Sequence, residues 1–236
     1  MISAVITSIR KELKKHVDQE YRRGSLNFFK EPIKCWGVRS PIVRRISSQF
    51  YRQVKDCDKA EIFVLAEELL KSNYNEEGTI AFDWIYRRKN EFEPSDFIFF
   101  DKVAKRYLTN WALVDDFCTH SFGELVAKYP QLIPKVKAYH KSSSRWVRRA
   151  SAVTMIGPMA RHGKYLEHNF AIARSLLTDP DDLVQKGYGW MLKVAADRYQ
   201  KKVFDFVMKH KAKMPRTALR YAIEKMPQNL KQRAMG

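Results

Sequence analysis

Several features that define common protein classes are scarce or missing in this sequence of 236 residues. Glycine and proline number only 9 each, too few to supply the turns between the many short strands of a β-sandwich or barrel. The three cysteines, Cys35, Cys57 and Cys118, form no CxxC pair, so neither a disulfide framework nor a thiolate zinc site is indicated. No apolar run approaches the ~20 residues that cross a bilayer. We therefore expect a helical protein that works in a reducing cytoplasm and does not contact a membrane.

Familiar catalytic and metal-binding motifs are also missing. The six histidines show no HxxH or HExxH spacing, and the sequence contains no P-loop, no strand-flanked GxGxxG and no GxSxG elbow. The Gly187-Tyr188-Gly189 run is expected inside a helix, where it permits close packing. We expect neither a metal nor a cofactor, and conventional hydrolase, kinase and redox machinery is disfavoured.

Positive charge and aromatic residues are abundant. Lys and Arg number 44 against 26 Asp and Glu, which gives a net charge of +18 and a pI of about 9.8. Residues 186–236 alone hold thirteen basic and three acidic side chains. With 45% hydrophobic and 13% aromatic residues the chain can also build a packed core. These numbers indicate a folded protein with a polyanionic partner.

Two kinds of helical segment alternate along the chain. Apolar, often aromatic segments centre on Phe63, Phe97, Leu132, Phe170 and Phe204, at spacings of 34, 35, 38 and 34 residues. Segments with small residues centre on Ile80, Val114, Ala150, Gly187 and Arg220, at spacings of 34, 36, 37 and 33 residues. Helix pairs that repeat at this period are typical of solenoids. We predict an all-α, right-handed α-solenoid of HEAT-like pairs, one domain over residues 1–236, with a concave basic groove.

One segment of the last third combines tryptophan with lysine. On a helical wheel of residues 183–197, Lys186, Trp190 and Lys193 lie opposite the apolar side. Interleaved aromatic and basic side chains are typical of nucleic-acid sites, because rings stack on bases or sugars while cations meet phosphates. The alternative is that Trp190 packs against the adjacent repeat.

A second segment, SSSRWVRRAS, places three arginines after a run of serines. Serine is a good N-cap, and exposed N–H groups beside Arg145, Arg148 and Arg149 would suit a phosphate. A capped helix with solvated arginines is the alternative.

A third segment, NWALVDDF, sets Trp111 and Asp115 four residues apart on one helical stripe, with Cys118 and Phe122 continuing it. Asp115 is then either a carboxylate beside an indole in a cationic groove or a salt-bridge partner.

Together these segments resemble the AlkD-type alkylpurine DNA glycosylases, a HEAT-like repeat family of DNA alkylation repair. The resemblance covers nearly the whole chain from Gly37 onward. It implies that Asp115 is the catalytic carboxylate, that Trp111 and Trp190 contact the damaged nucleotide and its sugar, and that Arg149 lines the same cleft. The side chains expected to bind DNA are Arg149, Arg148, Arg145, Lys193, Lys186, Phe28 and Phe29.

The sequence departs from the family pattern at two positions. Lys193 stands where the pattern has arginine, so a bidentate phosphate contact becomes a point-charge contact. Asn110 replaces a second tryptophan beside Trp111, which predicts a looser cleft.

The function that the resemblance implies is hydrolysis of the N-glycosidic bond of positively charged N3- or N7-alkylated purines, such as 3-methyladenine and 7-methylguanine, in duplex DNA. Asp115 would stabilise the oxocarbenium-like sugar and position water, without lyase chemistry, metal or cofactor. We expect a monomer, located at the nucleoid in a prokaryote. The alternatives are a non-catalytic HEAT-like protein that binds DNA or structured RNA, and a scaffold for an acidic protein.

Overall fold

The computed structural model describes residues 2–236, with side chains from residue 4 onward. Within this range the chain is helical, and a single isolated β-bridge joins Lys34 to Tyr74. The prediction of an all-α fold is therefore confirmed. The α-helices of this range are α1 (Ile2–Lys15), α2 (Gln19–Leu26), α3 (Ser40–Val54), α4 (Lys59–Leu70), α5 (Asn75–Arg87), α6 (Phe97–Arg106), α7 (Trp111–Phe117), α8 (Gly123–Lys128), α9 (Ile133–Lys137), α10 (Arg145–Val153), α11 (Ile156–His162), α12 (Leu166–Leu176), α13 (Asp182–His210), α14 (Arg216–Ile223) and α15 (Gln228–Met235).

Shorter helical turns connect several of these elements. The 3₁₀ turns are Lys89–Glu91, Pro94–Asp96, Pro130–Leu132 and Ala138–Lys141, and one π-helical turn is Cys118–Phe122. Pro94 and Pro130 begin their turns, where a missing backbone N–H costs nothing. The helix expected around Leu132 is divided into three short pieces, because Pro134 cannot donate a backbone hydrogen bond inside a longer helix.

The chain divides into two compact units. Unit 1 contains residues 1–92 and 98–116, and unit 2 contains residues 93–97 and 117–236. In unit 1, α4 and α3 both pack on α5. In unit 2, α10, α12 and α14 pack on α13. In two of these contacts, α4 with α5 and α12 with α13, an apolar segment packs on the small-residue segment that follows it in the sequence. The predicted class, a solenoid of helix pairs, is confirmed.

Helix α13 joins two segments that the sequence presents as separate helices. The small-residue segment around Gly187 and the aromatic segment around Phe204 run through α13 without a loop. The backbone leaves helical geometry only at Tyr199, with φ −130° and ψ 44°, where the helix is kinked. The Tyr199 hydroxyl donates to the Gly163 carbonyl at 2.7 Å and so fixes the kink.

Each unit has its own aromatic core. In unit 1 the Phe63 ring stacks on Phe99 with centroids 4.5 Å apart, and Phe100 meets Phe92 edge to face. In unit 2 the fully buried Tyr188 hydroxyl donates to the Leu177 carbonyl at 3.4 Å. Burial of aromatic rings is the largest single source of apolar stabilisation per residue, so each unit has the material for a core.

None of the described helices combines the length and apolar character of a membrane span. The described residues also contain no group of three or more His, Cys, Asp or Glu side chains that could hold a metal ion.

Candidate active site

The helix that carries Trp111 and Asp115 begins at a buried asparagine. The Asn110 side chain is only 3% exposed, and its Oδ1 accepts from the backbone N–H of Leu113 at 3.1 Å. Its Nδ2 donates to the Asn75 side chain at 2.8 Å. An N-cap of this kind satisfies an otherwise unpaired helix donor. The Asn110 amide thus fixes the start of α7 to the start of α5.

Trp111 and Asp115 are both half-buried on α7. Their four-residue spacing places them on one side of the helix, as the sequence predicts. The Trp111 indole stacks on Phe29, with ring centroids 5.1 Å apart and an interplanar angle of 19°. The structure thus brings together two of the candidate residues, Trp111 and Phe29. Phe28 is 76% exposed beside them.

The stripe expected to continue through Cys118 and Phe122 is interrupted. Both side chains are fully buried, and both belong to the π-helical turn that follows α7. A π turn contains more residues than an α turn, so the four-residue spacing no longer selects one face. Trp111 and Asp115 remain as the accessible part of the motif.

A pocket of about 330 Å³ in unit 1 lies against the Trp111 side chain. Its aromatic walls are Tyr21, Phe28, Phe29 and Trp111. Its remaining lining residues are Ser25, Ile33, Cys35, Gly37, Val38, Ser40, Val43, Asn75, Glu76, Thr79, Ala112 and Leu113. A volume near the lower end of the range for ligand pockets suits one small heterocycle.

A buried carboxylate is among the residues that line this pocket. Glu76 is 7% exposed and accepts from three consecutive backbone N–H groups, those of Trp36 at 2.9 Å, Gly37 at 2.7 Å and Val38 at 3.1 Å. Gly37 has φ +87°, a conformation that glycine adopts without steric cost. The segment from Trp36 to Val38 is therefore wrapped around the Glu76 side chain.

The neighbouring residue, Glu77, anchors the same segment from another side. Its fully buried carboxylate accepts from the Arg10 guanidinium at 2.9 and 3.0 Å and from the Trp36 indole at 3.4 Å. The Trp36 ring stacks on Tyr74 with centroids 4.2 Å apart. Two adjacent glutamates thus hold a loop that has little regular hydrogen bonding of its own.

Arg149 lies against α13 in unit 2. It is only 5% exposed, and its Nη1 donates to the Leu183 carbonyl. A Cβ placed on Gly187 would lie 3.2 Å from the Arg149 Cγ, so the glycine leaves room for the arginine stem. Leu183, Gly187 and the half-buried Trp190 share one helical face at spacings of four and three. Arg149 therefore lies along the face of α13 that also carries Trp190.

The other two arginines of the SSSRWVRRAS segment have carboxylate partners. Arg148 binds Asp179 with Nε at 2.6 Å, and its Nη1 donates to the carbonyls of Ser142 and Ser143. Arg145 lies 3.3 Å from an Asp181 oxygen. The residues that precede α13 thus partly neutralise the positive charge of α10.

The two candidate lysines of α13 are also paired. Lys186 lies 3.2 Å from Asp182, and Lys193 lies 2.9 Å from Glu224. Lys193 also lies over the Tyr221 ring at 5.5 Å. The apolar side that the helical wheel predicts for this helix is confirmed. Its five residues are all fully buried: Val184, Tyr188, Met191, Leu192 and Ala195.

Glu76 and Glu77 are the residues that sequence reasoning misses at this site. Acidic residues in the first turn of a helix are ordinarily explained by the helix dipole, and α5 begins with Asn75 followed by both glutamates. A buried glutamate that binds a loop differs from an exposed first-turn glutamate only in its hydrogen-bond donors. For Glu76 these donors are backbone N–H groups about 40 residues earlier in the sequence.

The helical repeat architecture, the aromatic pocket and the basic side chains define a class of helical proteins suited to a polyanion. The model of the DNA alkylation repair enzyme family matches residues 9–226, and the chain belongs to that family. It is an enzyme of alkylation damage repair, and DNA is its partner.

A similar solved structure is described as a predicted DNA alkylation repair enzyme from Enterococcus faecalis. It aligns with a TM-score of 0.78 at 17% identity, over 89% of this chain and 96% of that chain. At this identity the likeness shows the fold. None of the curated proteins matches the chain.

Proposed function

We propose that this protein is a monofunctional DNA glycosylase that hydrolyses the N-glycosidic bond of positively charged N3- or N7-alkylated purines in duplex DNA. The observation that carries the proposal is the arrangement on α7, where a half-buried carboxylate, Asp115, follows an aromatic ring, Trp111, by one helical turn. The ring is stacked on Phe29, and the start of the helix is capped by Asn110.

The chemistry of the lesion matches a single carboxylate. A purine alkylated at N3 or N7 carries a positive charge in the nucleotide, so it leaves as a neutral base without prior protonation. The sugar left behind has oxocarbenium character, and a nearby anion lowers the energy of that transition state. Asp115 would provide this anion and orient the attacking water, as one of the two carboxylates does in ordinary glycosidases.

The aromatic and basic side chains would bind the nucleotide and its backbone. Cation–π contact with Trp111 or Trp190 favours a cationic base by about 0.5–2 kcal/mol. Arg149, Lys186 and Lys193 are cations of unit 2 that lie with Trp190 on or beside one face of α13. A phosphate bound here would replace contacts that these side chains make in the structure, among them the Leu183 carbonyl at Arg149 and the exposed Glu224 carboxylate at Lys193.

Release of free 7-methylguanine from methylated duplex DNA tests the proposal. Wild type should release the base, and Asp115→Asn should lose at least about a hundredfold in the single-turnover rate, as removal of an electrostatic stabiliser does. Duplex affinity should stay within about threefold of wild type.

The adjacent Asp116 provides a matched control. It is also half-buried, and it lies about 100° around the helix from Asp115. Asp116→Asn changes the net charge by the same amount and should excise at close to the wild-type rate. Equal losses in both variants would contradict the assignment of Asp115. Duplex binding without any release by wild type would favour a non-catalytic DNA-binding protein.

A further inference from the structure

A second concave surface lies in unit 2, between α12 and the C-terminal half of α13. This surface, the α12–α13 groove, has a volume of about 520 Å³, which lies within the range of ligand pockets. Its described lining residues include none of the candidate site residues and none that line the pocket beside Trp111. The groove therefore shares no residue with the site of the proposed function.

A stack of aromatic rings joins the two helices of this groove. Phe170 of α12 stacks on Phe206 of α13, with ring centroids 4.7 Å apart and an interplanar angle of 5°. The His210 ring follows, with its centroid 4.6 Å from that of Phe206. Both phenylalanines are buried, whereas His210 is half-buried and lines the groove. The imidazole is therefore held by packing at a place that a ligand can reach.

Three basic side chains lie around His210. Arg174 of α12 and Lys209 of α13 line the same groove, and Lys213 follows three residues after His210. All three are exposed, and among the described residues no ion pair joins any of them to a carboxylate. The candidate DNA-binding cations of α10 and α13, in contrast, have partners within the protein. Positive charges that are close together and unpaired attract an anion.

The two carboxylates of the groove do not neutralise these cations. Glu167 precedes Arg174 by seven residues, which corresponds to about 10 Å along α12. Asp205 lies 2.8 Å from the ammonium group of Lys201, a lysine that does not line the groove. The part of the groove around His210 therefore keeps an excess of positive charge.

The pKa of His210 reflects this positive charge. Burial, the largest cause, and the charges of Lys209, Arg174 and Lys213 lower the pKa of the imidazole. A bound anion acts in the opposite direction, because a nearby negative charge favours the protonated ring. The His210 ring therefore reports whether an anion occupies the groove.

We propose that the α12–α13 groove binds a phosphate group, which Arg174, Lys209 and Lys213 hold beside the His210 ring. Lysine and arginine donate charge-assisted hydrogen bonds to phosphate oxygens, and a planar guanidinium can bind two oxygens at once. The groove is larger than one phosphate, so a phosphate attached to a sugar or another organic group also fits. The phosphate belongs either to a nucleic-acid backbone or to a free phosphorylated compound, and the same cations recognise it in both cases.

The test uses inorganic phosphate as the probe and the His210 ring as the reporter. The imidazole Cε1–H resonance is assigned by its disappearance in His210→Gln, and the other histidines serve as internal references. At constant pH, with the ionic strength kept constant by chloride, phosphate should shift this resonance saturably in the direction of protonation. A resonance that does not move, or that moves without saturation, would overturn the proposal.

Two lysine variants test the location. Lys209→Gln removes one of the three cations and should raise the Kd for phosphate about threefold, as the loss of one exposed charge contact predicts. Lys164→Gln is the matched control, because Lys164 is also exposed in unit 2 but does not line the groove. This variant lowers the net charge equally and should keep the wild-type Kd. Equal effects of the two variants would contradict the site and indicate a general attraction of anions to the protein.

A titration with a short unmodified duplex identifies the source of the phosphate. A shift of the His210 resonance that is weaker in Lys209→Gln would support a site for nucleic-acid backbone. An unchanged resonance with duplex, together with the shift by inorganic phosphate, would support a site for a free phosphorylated compound. None of these readouts depends on base release, so the inference can hold where the proposed glycosylase activity fails, and the reverse.

Discussion

At the residue scale, Asn110 shows how one buried amide positions the helix that carries two candidate site residues. Its side chain makes two contacts in the structure. It caps α7 through the Leu113 N–H and joins the Asn75 side chain. The position of Trp111 and Asp115 therefore depends on a residue that contacts neither substrate nor water in the proposed reaction.

Replacing Asn110 should separate these two contacts. Asn110→Ala removes the cap and leaves the Asn75 amide without its partner, so the free energy of unfolding should fall by about 1–2 kcal/mol. Asn110→Asp keeps a cap acceptor, and Asn75 can rotate its amide to donate to it, so the loss should be smaller. Urea denaturation measures both values.

Excision provides the second readout for Asn110. If the cap positions α7, excision at a temperature where both variants are fully folded should fall in Asn110→Ala and recover largely in Asn110→Asp. Equal activity in wild type and Asn110→Ala would show that the cap contributes only to stability.

The residues of the candidate site were predictable from sequence to different degrees. Trp111 and Asp115 follow from a four-residue spacing inside one helix, which is local information. Glu76 was not predictable, because its three donors belong to a loop about 40 residues earlier. The pairing of Lys193 with Glu224 is likewise a contact between distant segments.

At the scale of elements, α13 illustrates how two glycines in one helix serve different neighbours. Gly187 faces the side chain of Arg149, whereas Gly189 faces the backbone of α14. A Cβ on Gly189 would lie 2.9 Å from the Ala218 carbonyl oxygen and 2.6 Å from the Tyr221 Cβ. The sequence prediction that this run permits close packing is confirmed, and the structure adds what each glycine packs against.

Alanine substitutions at the two glycines should therefore differ in effect: one should lower stability, and the other should lower the excision rate. Gly189→Ala should lower the free energy of unfolding by about 1–3 kcal/mol, because α14 must move away from a new methyl group. Gly187→Ala gains up to about 1 kcal/mol of helix propensity, and only the flexible Arg149 must shift, so its stability should stay near wild type. Its excision rate should fall, because Arg149 is displaced along the Trp190 face.

Thermal unfolding and single-turnover excision, measured on both variants, check this prediction. A stable Gly189→Ala variant would show that α13 and α14 do not pack as closely as described. Unchanged excision by Gly187→Ala would show that the position of Arg149 is not critical.

At the scale of the whole molecule, part of the positive charge is paired with carboxylates and part remains as net charge. Much of it is neutralised within the protein, as in the Arg148–Asp179 and Lys186–Asp182 pairs. The excess of +18 remains and draws the protein to DNA over long range. Specific phosphate contacts and diffuse attraction can be distinguished by their salt dependence, since each phosphate contact contributes about one unit to the slope of log affinity against log salt.

The slope should identify Lys193 as a phosphate contact. Lys193→Gln should reduce the slope by about 1, whereas Lys201→Gln should leave it nearly unchanged. Both variants lower the net charge equally, but the Lys201 side chain is 89% exposed and lies outside the proposed site. The measurement is a titration of one duplex at several salt concentrations, and equal slopes for both variants would indicate diffuse attraction only.

The sequence by itself determined the helical class, the pairing of apolar with small-residue helices, and the faces of α7 and α13. These properties are determined by residues three or four positions apart, whose periodicity is visible along the chain. Only the tertiary structure decided that Glu76 lines a pocket, that Asn110 joins two helix starts, and that Arg145, Arg148 and Lys193 are paired with carboxylates. Each of these contacts joins segments about 30 to 40 residues apart, and the partner of a polar side chain at that distance is chosen by packing and burial, which local pattern does not encode.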